Sequence, residues 1–573
     1  MKTKKRIAIV GGGPSALFLY KRLLESGETN FEVEIFEKKN TLGSGMPYSS
    51  EGANDEHVTN VSDNETPDLV TSISDWLRMV PASLLERFSV NIDTFNEYKV
   101  LPRLLFGMYL TEQFNMLNDI ANKLDITTHI HYHTTVFDIE YDKDDTQVWI
   151  ITANDKILFD DVIICTGHAW PSRLEGKYKG CYDSPYPPSK LEFHVNHAVA
   201  IRGASLTAID AVRTLARQNG KFEYDSHHNL CYRLNEQSQD FKIVMHSRGG
   251  LLPAVRFHLE DSHLSNDYLL NSAEIKTHIT GNQGFLSLDY FFQKNFKEIF
   301  LQKDPQFYER IKHLSIEEFV DEMMDLRFQL DPFLLLKAEY SEAEKSIKRH
   351  ESVYWKEMLA VLSFAMNHPA KYFSAEDMLR LQKVLMPLIS IIIAFVPQKS
   401  CVELLALHDA GVLSLISVGA DSTVEPQTEG IIYHYTDEVN NELSDYYKIF
   451  VDCIGQPHLS YEDFPFESLK KQKAISPARL RFKSNAIAEK ASCEGNIGVE
   501  CDSKGNYYLK VTGISINDNF QIVDYYGAYI ENIYIMAVPY IGGFNPDYSG
   551  LDFCEATSLR IVNSIFNISA VQV

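Results

Sequence analysis

Gly11-Gly-Gly-Pro-Ser15, Glu37 and Gly203-Ala-Ser205 are the residues whose types and spacing bear chemistry. Glycines let a backbone turn tightly and come close to a pyrophosphate. A helix starting directly after them offers unpaired N–H groups and the positive end of its dipole. A carboxylate about two dozen residues further on is placed to accept hydrogen bonds from ribose hydroxyls.

The flanking elements fit that chemistry. Ile7 to Val10 is a short apolar run that reads as a strand, and Ala16, Leu17, Tyr20, Leu23 and Leu24 line one helical face. Phe31 to Glu37 reads as a second strand ending in the acid. An ordinary glycine turn would leave Glu37 unexplained. A second unit follows: Ala198 to Gly203 as a strand, a helix opening at Ser205 with Ile209, Val212 and Leu215 on one side, and Lys242 to Ser247 as the next strand. In Gly203-Ala-Ser205 a serine takes the usual place of the second glycine, so a plain βα turn remains its alternative. The segment Asp161-Val-Ile-Ile-Cys-Thr-Gly167 is echoed by Phe450-Val-Asp-Cys-Ile-Gly455.

This order predicts an α/β fold with two Rossmann-like dinucleotide-binding domains, the second inserted into the first, plus a large helical insertion. The expected division is 1–190 and 458–573 for the first domain, 191–256 and 399–457 for the second, and 257–398 for the helical insertion. That insertion has few glycines and helical periodicity, as in Ile316 to Leu326, and suits a lid, a substrate wall or a partner surface. Thr127 to Glu140, Gln147 to Ala153 and Lys156 to Phe159 read as a β-meander leading into the Thr-Gly strand. Asn532 to Pro539 reads as a buried strand, followed by turns and a helix over Leu551 to Phe566.

The chain has 573 residues, 45% hydrophobic and 23% charged, as expected for a globular protein of several domains. A net charge of −24 argues against nucleic acid and anionic membrane as partners, because phosphate binding needs clustered cations. None of the eight cysteines forms a CxxC pair, which removes the usual signature of a flavin disulfide reductase. They read as reduced thiols in a cytoplasmic protein, with a Cys493–Cys501 pairing left open. The basic N-terminus precedes too few apolar residues for a signal peptide. Leu385 to Val396, interrupted by Pro387 and Ser390, is too short to span a bilayer and reads as a buried helix. His129, His131 and His133 alternate and would share one face of a strand, but no acidic fourth ligand lies near them, so no metal site is assigned. No GxSxG, P-loop or HExxH occurs.

Taken in order, GGGPSA at Gly11, GSGMPYS at Gly43, HVTNVS at His57, LPRLLFGMYL at Leu101, CTGH at Cys165, GASLTAID at Gly203, SRGGLLP at Ser247 and CIGQP at Cys453 resemble the bacterial FAD/NAD(P)-binding oxidoreductases related to flavin-dependent, N-hydroxylating monooxygenases. The resemblance implies FAD in the first domain and NADPH or NADH in the second. By position, Gly11, Gly13, Pro14 and Ser15 would contact the FAD pyrophosphate and Glu37 its ribose, with Lys38 alongside. Met46, Tyr48 and Asn60 would lie near the flavin, Val136 at the adenine, and Thr166, Gly167, Gly543 and Asp547 at the remaining edges. The C-terminal part departs from the family's Gly-Asp signature, and Gly543 and Asp547 are approximate stand-ins.

Gly203, Ser205, Leu206 and Thr207 would face the nicotinamide dinucleotide. Ser247 and Arg248 stand where NAD would need an acid, and so favour a 2′-phosphate and NADPH. Asn60, Arg103 and His57 are the catalytic candidates in the flavin pocket. Their alternatives are a polar loop role for His57 and a helix cap or carboxylate partner for Arg103. The implied activity is NAD(P)H-driven hydroxylation of a small molecule with O2 through a flavin C4a-(hydro)peroxide. The alternatives are a flavin dehydrogenase or oxidase without oxygenation, and a non-catalytic FAD-binding module. Substrate and oligomeric state are not legible.

Overall fold

The computed structural model describes residues 4–170, 172–260, 269–437, 439–456, 458–546 and 550–568. Two open sheets organise the chain. The first runs, in spatial order, Gln521–Val523, Tyr529–Ile535, Asp161–Ile164, Lys5–Val10, Phe31–Phe36 and Thr127–His131. Its strands are parallel except for the Gln521–Val523 edge. The second runs Cys181–Tyr182, Ile449–Asp452, Ala198–Arg202, Lys242–Ser247 and Leu413–Ser417, all parallel. Ile7, Ala8, Ile9 and Val10 are all buried because both faces of a parallel sheet are covered, which explains an unbroken apolar run rather than an alternating one. In each sheet the carboxyl ends of the strands gather on one edge, with Val10 beside Phe36 and Ile164, and Arg202 beside His246 and Asp452. The two Rossmann-type sheets and the helical region are those expected from the sequence.

Thr127–His131 corrects the expected meander. It is the parallel edge strand of the first sheet, and the antiparallel meander in this part of the chain is formed by Asp138–Asp142, Gln147–Ile151 and Lys156–Phe159. One face of an edge strand is half covered, so its residues alternate in burial as a hairpin strand would. His133 lies past this strand with φ +52°, so the histidine alternation ends at His131, whose Nε2 lies 2.8 Å from Glu34 Oε2.

Two helices matter most for the first sheet's edge. Pro14–Glu25 follows the first glycine turn, with Pro14 in the first turn, where its missing N–H costs nothing. Gly550–Ile565 packs against it, and Lys21 reaches Glu555 at 3.2 Å. The region between the second sheet's strands is helical, with Ser272–Gly281, Ile316–Gln329, Pro332–Arg349 and Tyr354–Met366 among its elements. Asn271 with Glu274 and Ser315 with Glu318 form capping boxes that start two of these helices. Phe291, Met358 and Leu388 join the core of the first sheet, whereas Phe333, Leu336 and Ala360 join that of the second. The Leu385 to Val396 run contains the helix Met386–Ile393, and no helix among the described residues is long and apolar enough to cross a membrane.

Candidate dinucleotide sites and the contact between them

The two glycine turns have the same local geometry. Gly11 has φ +105°, its N–H donates to Phe36 O at 2.9 Å, and a Cβ there would sit 2.5 Å from Cys165 O. Gly203 has φ +112°, its N–H donates to His246 O at 2.8 Å, and a Cβ there would sit 2.6 Å from Cys453 O. Cys165 N–H in turn donates to Val10 O, and Cys453 N–H to Arg202 O, each at 2.8 Å. Only glycine meets both the torsion and the close approach. Gly13 and Ser205 are the N-caps of the two following helices and share an extended backbone, φ −82° and −90°. The serine therefore costs the second turn nothing in torsion.

These correspondences align Glu37 with Ser247. Glu37 Oε2 accepts the Gly12 N–H at 2.7 Å and Oε1 the Lys39 N–H at 2.9 Å, so the carboxylate is held at the turn by two backbone donors. Ser247 Oγ accepts the Leu251 N–H at 3.2 Å, and Arg248 beside it is exposed. Lys38 is exposed as well.

The first seat fits a pyrophosphate-bearing cofactor. The helix Pro14–Glu25 begins with no side-chain cap, so its first-turn donors are not claimed by a capping oxygen. Thr166 Oγ1 is buried without a hydrogen-bond partner, and a Cβ on Gly167 would touch nothing within 4 Å. A Cβ on Gly13 would lie 3.4 Å from Gly45 Cα, so the Gly43–Pro47 loop covers the helix start closely. Ser15 Oγ lies 3.5 Å from Cys554 Sγ of the C-terminal helix. The second seat has the same uncapped start, at Ser205, Leu206 and Thr207.

Around these turns, Tyr48 packs edge-on against Phe106 at 5.0 Å, and burial pushes its hydroxyl up to about 12. Met46 O accepts the Ser49 hydroxyl at 3.0 Å. Val136 lies in the loop after Thr127–His131, whose Thr134 N–H donates to Glu37 O at 2.9 Å. Gly543 is buried, and its N–H donates to Thr512 O at 3.1 Å. Asp547 lies outside the described residues.

His57 and Arg103 meet at a residue that sequence reasoning missed, Asp210. Arg103 Nη1 lies 2.7 Å from Asp210 Oδ2 and also reaches Gly52 O, while Nη2 reaches Val58 O. Tyr186 donates its hydroxyl to the same Asp210 oxygen at 2.7 Å. Burial opposes the Asp210 charge, yet the facing guanidinium and the phenol hold its carboxyl below the usual range. His57 is fully buried. Its Nδ1 accepts the Asn54 N–H at 3.0 Å, so Nε2 carries the proton and donates to Asp210 O at 3.2 Å. Burial holds this imidazole neutral, below its ordinary value.

Asn60 belongs to a separate network. Its carbonyl accepts from Arg256, which also binds Ser62 Oγ at 2.8 Å and pairs with Glu65. A third contact joins the CTGH and CIGQP segments, where His168 Nδ1 lies 2.8 Å from Gln456 Oε1. Asp210 had a sequence signal: it is an acid beside Ile209 and Val212 on an apolar helix, and a buried charge needs a partner.

Residues 8–169 match the family model described as FAD-NAD(P)-binding, and residues 271–393 match the YdhS-like middle domain. The first match covers the Gly11 turn, Glu37 and Thr166. Residues 8–169 are an FAD-NAD(P)-binding domain. The expected FAD and NAD(P) cofactors are thereby borne out. The Uncharacterized protein YdhS of Escherichia coli (strain K12) is 29% identical over 82% of this chain and 86% of its own length. The Thiol-specific monooxygenase of Saccharomyces cerevisiae is 32% identical over 29% of this chain and 34% of its own. The crystal structure of the ornithine hydroxylase PvdA from Pseudomonas aeruginosa superposes with a TM-score of 0.46 at 12% identity, covering 98% of this chain and 99% of that one.

Proposed function

We propose that the protein is an FAD-dependent NAD(P)H oxidoreductase that hydroxylates a small molecule with O2. The observation that carries this reading is the repeated glycine–cysteine turn at Gly11 and at Gly203, whose geometry supports two pyrophosphate seats in one chain. The net reaction is RH + O2 + NAD(P)H + H+ → ROH + H2O + NAD(P)+, with one oxygen atom going to substrate and the other to water. The cofactors, when bound, supply hydride transfer and O2 activation. The local likeness to a protein named as a thiol-specific monooxygenase supports an oxygenase over a simple reductase.

The chain's own residues bind and orient. Gly11, Gly13, Pro14 and Ser15 hold the FAD pyrophosphate, Glu37 the ribose with Lys38 beside it, and Thr166 and Gly167 the inner edge. Met46, Tyr48, Asn60, Val136 and Gly543 complete that pocket. Gly203, Ser205, Leu206 and Thr207 hold the second pyrophosphate. Ser247 occupies the place that Glu37 fills in the first domain, and the exposed Arg248 follows it, so a 2′-phosphate meets a hydroxyl and a guanidinium rather than an acid. That favours NADPH over NADH. Arg103 and His57 act as positioning residues through Asp210. The domain division proposed is 1–190 with 458–573 for FAD and 191–256 with 399–457 for NAD(P)H, with 257–398 between them. Eight free thiols suit a reducing, cytoplasmic setting.

The test is the absorption spectrum of protein resupplied with FAD, then anaerobic titration with NADPH and NADH. Flavin bands bleached by NADPH support the reading. Protein that takes up no FAD, or FAD that neither nucleotide bleaches, would overturn it.

A further inference from the structure

We infer that the cavity between the helical region and the C-terminal helix binds a small organic anion, a monocarboxylate with an apolar body, and that Arg560 takes its charge. The cavity has a volume of about 630 Å³, within the range of small-molecule sites. Leu269, Ile275, Ile279, Phe364, Phe520 and Phe553 supply its apolar wall. Its charged lining is Lys276, Asp518 and Arg560.

The one carboxylate is already engaged. Lys371 Nζ lies 2.5 Å from Asp518 Oδ1, and Tyr372 donates its hydroxyl to the same oxygen at 2.7 Å. Arg560 has no carboxylate within ion-pairing distance among the described residues. Its Nη1 lies 3.2 Å from His368 Nε2, an imidazole that burial and two neighbouring cations keep neutral. In a chain of net charge −24, a guanidinium at an apolar cavity whose nearby acid, Asp518, is ion-paired with Lys371 instead is not the residue of a basic surface. An apolar wall with two lining cations, Arg560 and Lys276, against one carboxylate already paired with Lys371 selects an amphipathic anion over a neutral molecule or an amine.

The cavity also touches the first cofactor seat through one helix. Phe553, Ala556, Thr557 and Arg560 recur at helical spacing on the face of Gly550–Ile565 that lines the cavity. Cys554 and Glu555, on another face, meet Ser15 and Lys21 beside the Gly11 turn. Binding itself stands without the oxidoreductase reading. Identification of the anion as the hydroxylated substrate rests on it.

The experiment is calorimetric titration of the FAD-loaded protein with octanoate and 4-phenylbutyrate, against octanamide and octylamine. The expected result is saturable one-site binding of the carboxylates, with octanamide and octylamine at least about tenfold weaker. Arg560→Gln, at an exposed position, is expected to weaken octanoate by roughly tenfold, the loss of one charge-assisted contact. Octanamide binding as well as octanoate, octylamine binding better, no saturable carboxylate binding, or unchanged octanoate affinity in Arg560→Gln would each overturn the inference. The two readings separate cleanly. FAD bleached by NADPH with no octanoate binding removes the anion site alone, and octanoate binding with FAD that neither nucleotide bleaches removes the oxidoreductase reading alone.

Discussion

Arg103 Nη1 lies 2.7 Å from Asp210 Oδ2, and the two come from different helices, Arg103–Lys123, which packs on Pro14–Glu25, and Leu206–Asn219, which follows Ala198–Arg202 of the second sheet. The pair is buried, at 15% and 7% side-chain exposure. Removing the carboxylate leaves an unpaired guanidinium in place. Asp210→Asn is expected to lower stability by ~3 kcal/mol, and Tyr186→Phe by ~1 kcal/mol. Urea unfolding of the FAD-loaded protein measures both. Equal stability of Asp210→Asn and the parent would show that the pair does not hold the two units together.

Gly203→Ala separates the two seats. The new Cβ would lie 2.6 Å from Cys453 O at a φ of +112°. The variant is expected to keep its flavin spectrum but to require at least about tenfold more NADPH for the same anaerobic bleaching rate, since each 1.4 kcal/mol of strain or lost contact is tenfold. Gly11→Ala is expected to lose the flavin itself. Loss of FAD from the Gly203 variant with retention in the Gly11 variant would reverse the assignment of seats.

Arg248→Ala addresses nucleotide choice. Loss of a charge-assisted bond to a 2′-phosphate costs ~1.5–3 kcal/mol, so kcat/KM for NADPH is expected to fall roughly ten- to a hundredfold while that for NADH stays within a factor of about three. Undiminished preference for NADPH would remove Arg248 from the site.

Acid sensitivity follows from His246. Its Nδ1 lies 3.3 Å from Ile201 O, its Nε2 is buried without a partner, and burial pushes it from 6.5 down to about 4. Below pH 6.5 the unfolded chain takes up a proton that the folded one refuses. Stability therefore falls as pH drops from 6.5 towards 4, by on the order of 3 kcal/mol. His57, also held down by burial, acts in the same direction. His246→Phe keeps the ring stacked on Tyr433, now 4.2 Å away, and is expected to flatten the pH dependence of the urea midpoint across that interval. An unchanged slope would show that His246 does not titrate this way.

The glycine turns were legible because torsion and close approach together leave one residue type, and the helix and strand on either side repeat the pattern. The place of Glu37 just past the second strand, beside the glycine turn, was legible from its distance along the chain. Asp210 was half legible: an acid on an apolar helical face announces a partner, but nothing local points to Arg103, which is far away in sequence. Thr127–His131 misled because an edge strand of a parallel sheet alternates in burial as a hairpin strand does. The Arg560 cavity was invisible, since its wall is assembled from four separate stretches of chain, 269–280, 364–372, 518–520 and 545–560, none of which announces it alone.

The cysteines at the two turns serve through their backbone carbonyls, and their side chains are buried, with burial pushing the Cys165 and Cys453 thiols far above their ordinary range. Oxidants attack sulfur as thiolate, and these sulfurs do not ionise. Buried in this way, the two sulfurs at the turns are shielded from oxidants in solution. Chemical wear falls first on Cys493 and Cys501, which are exposed and belong to neither turn.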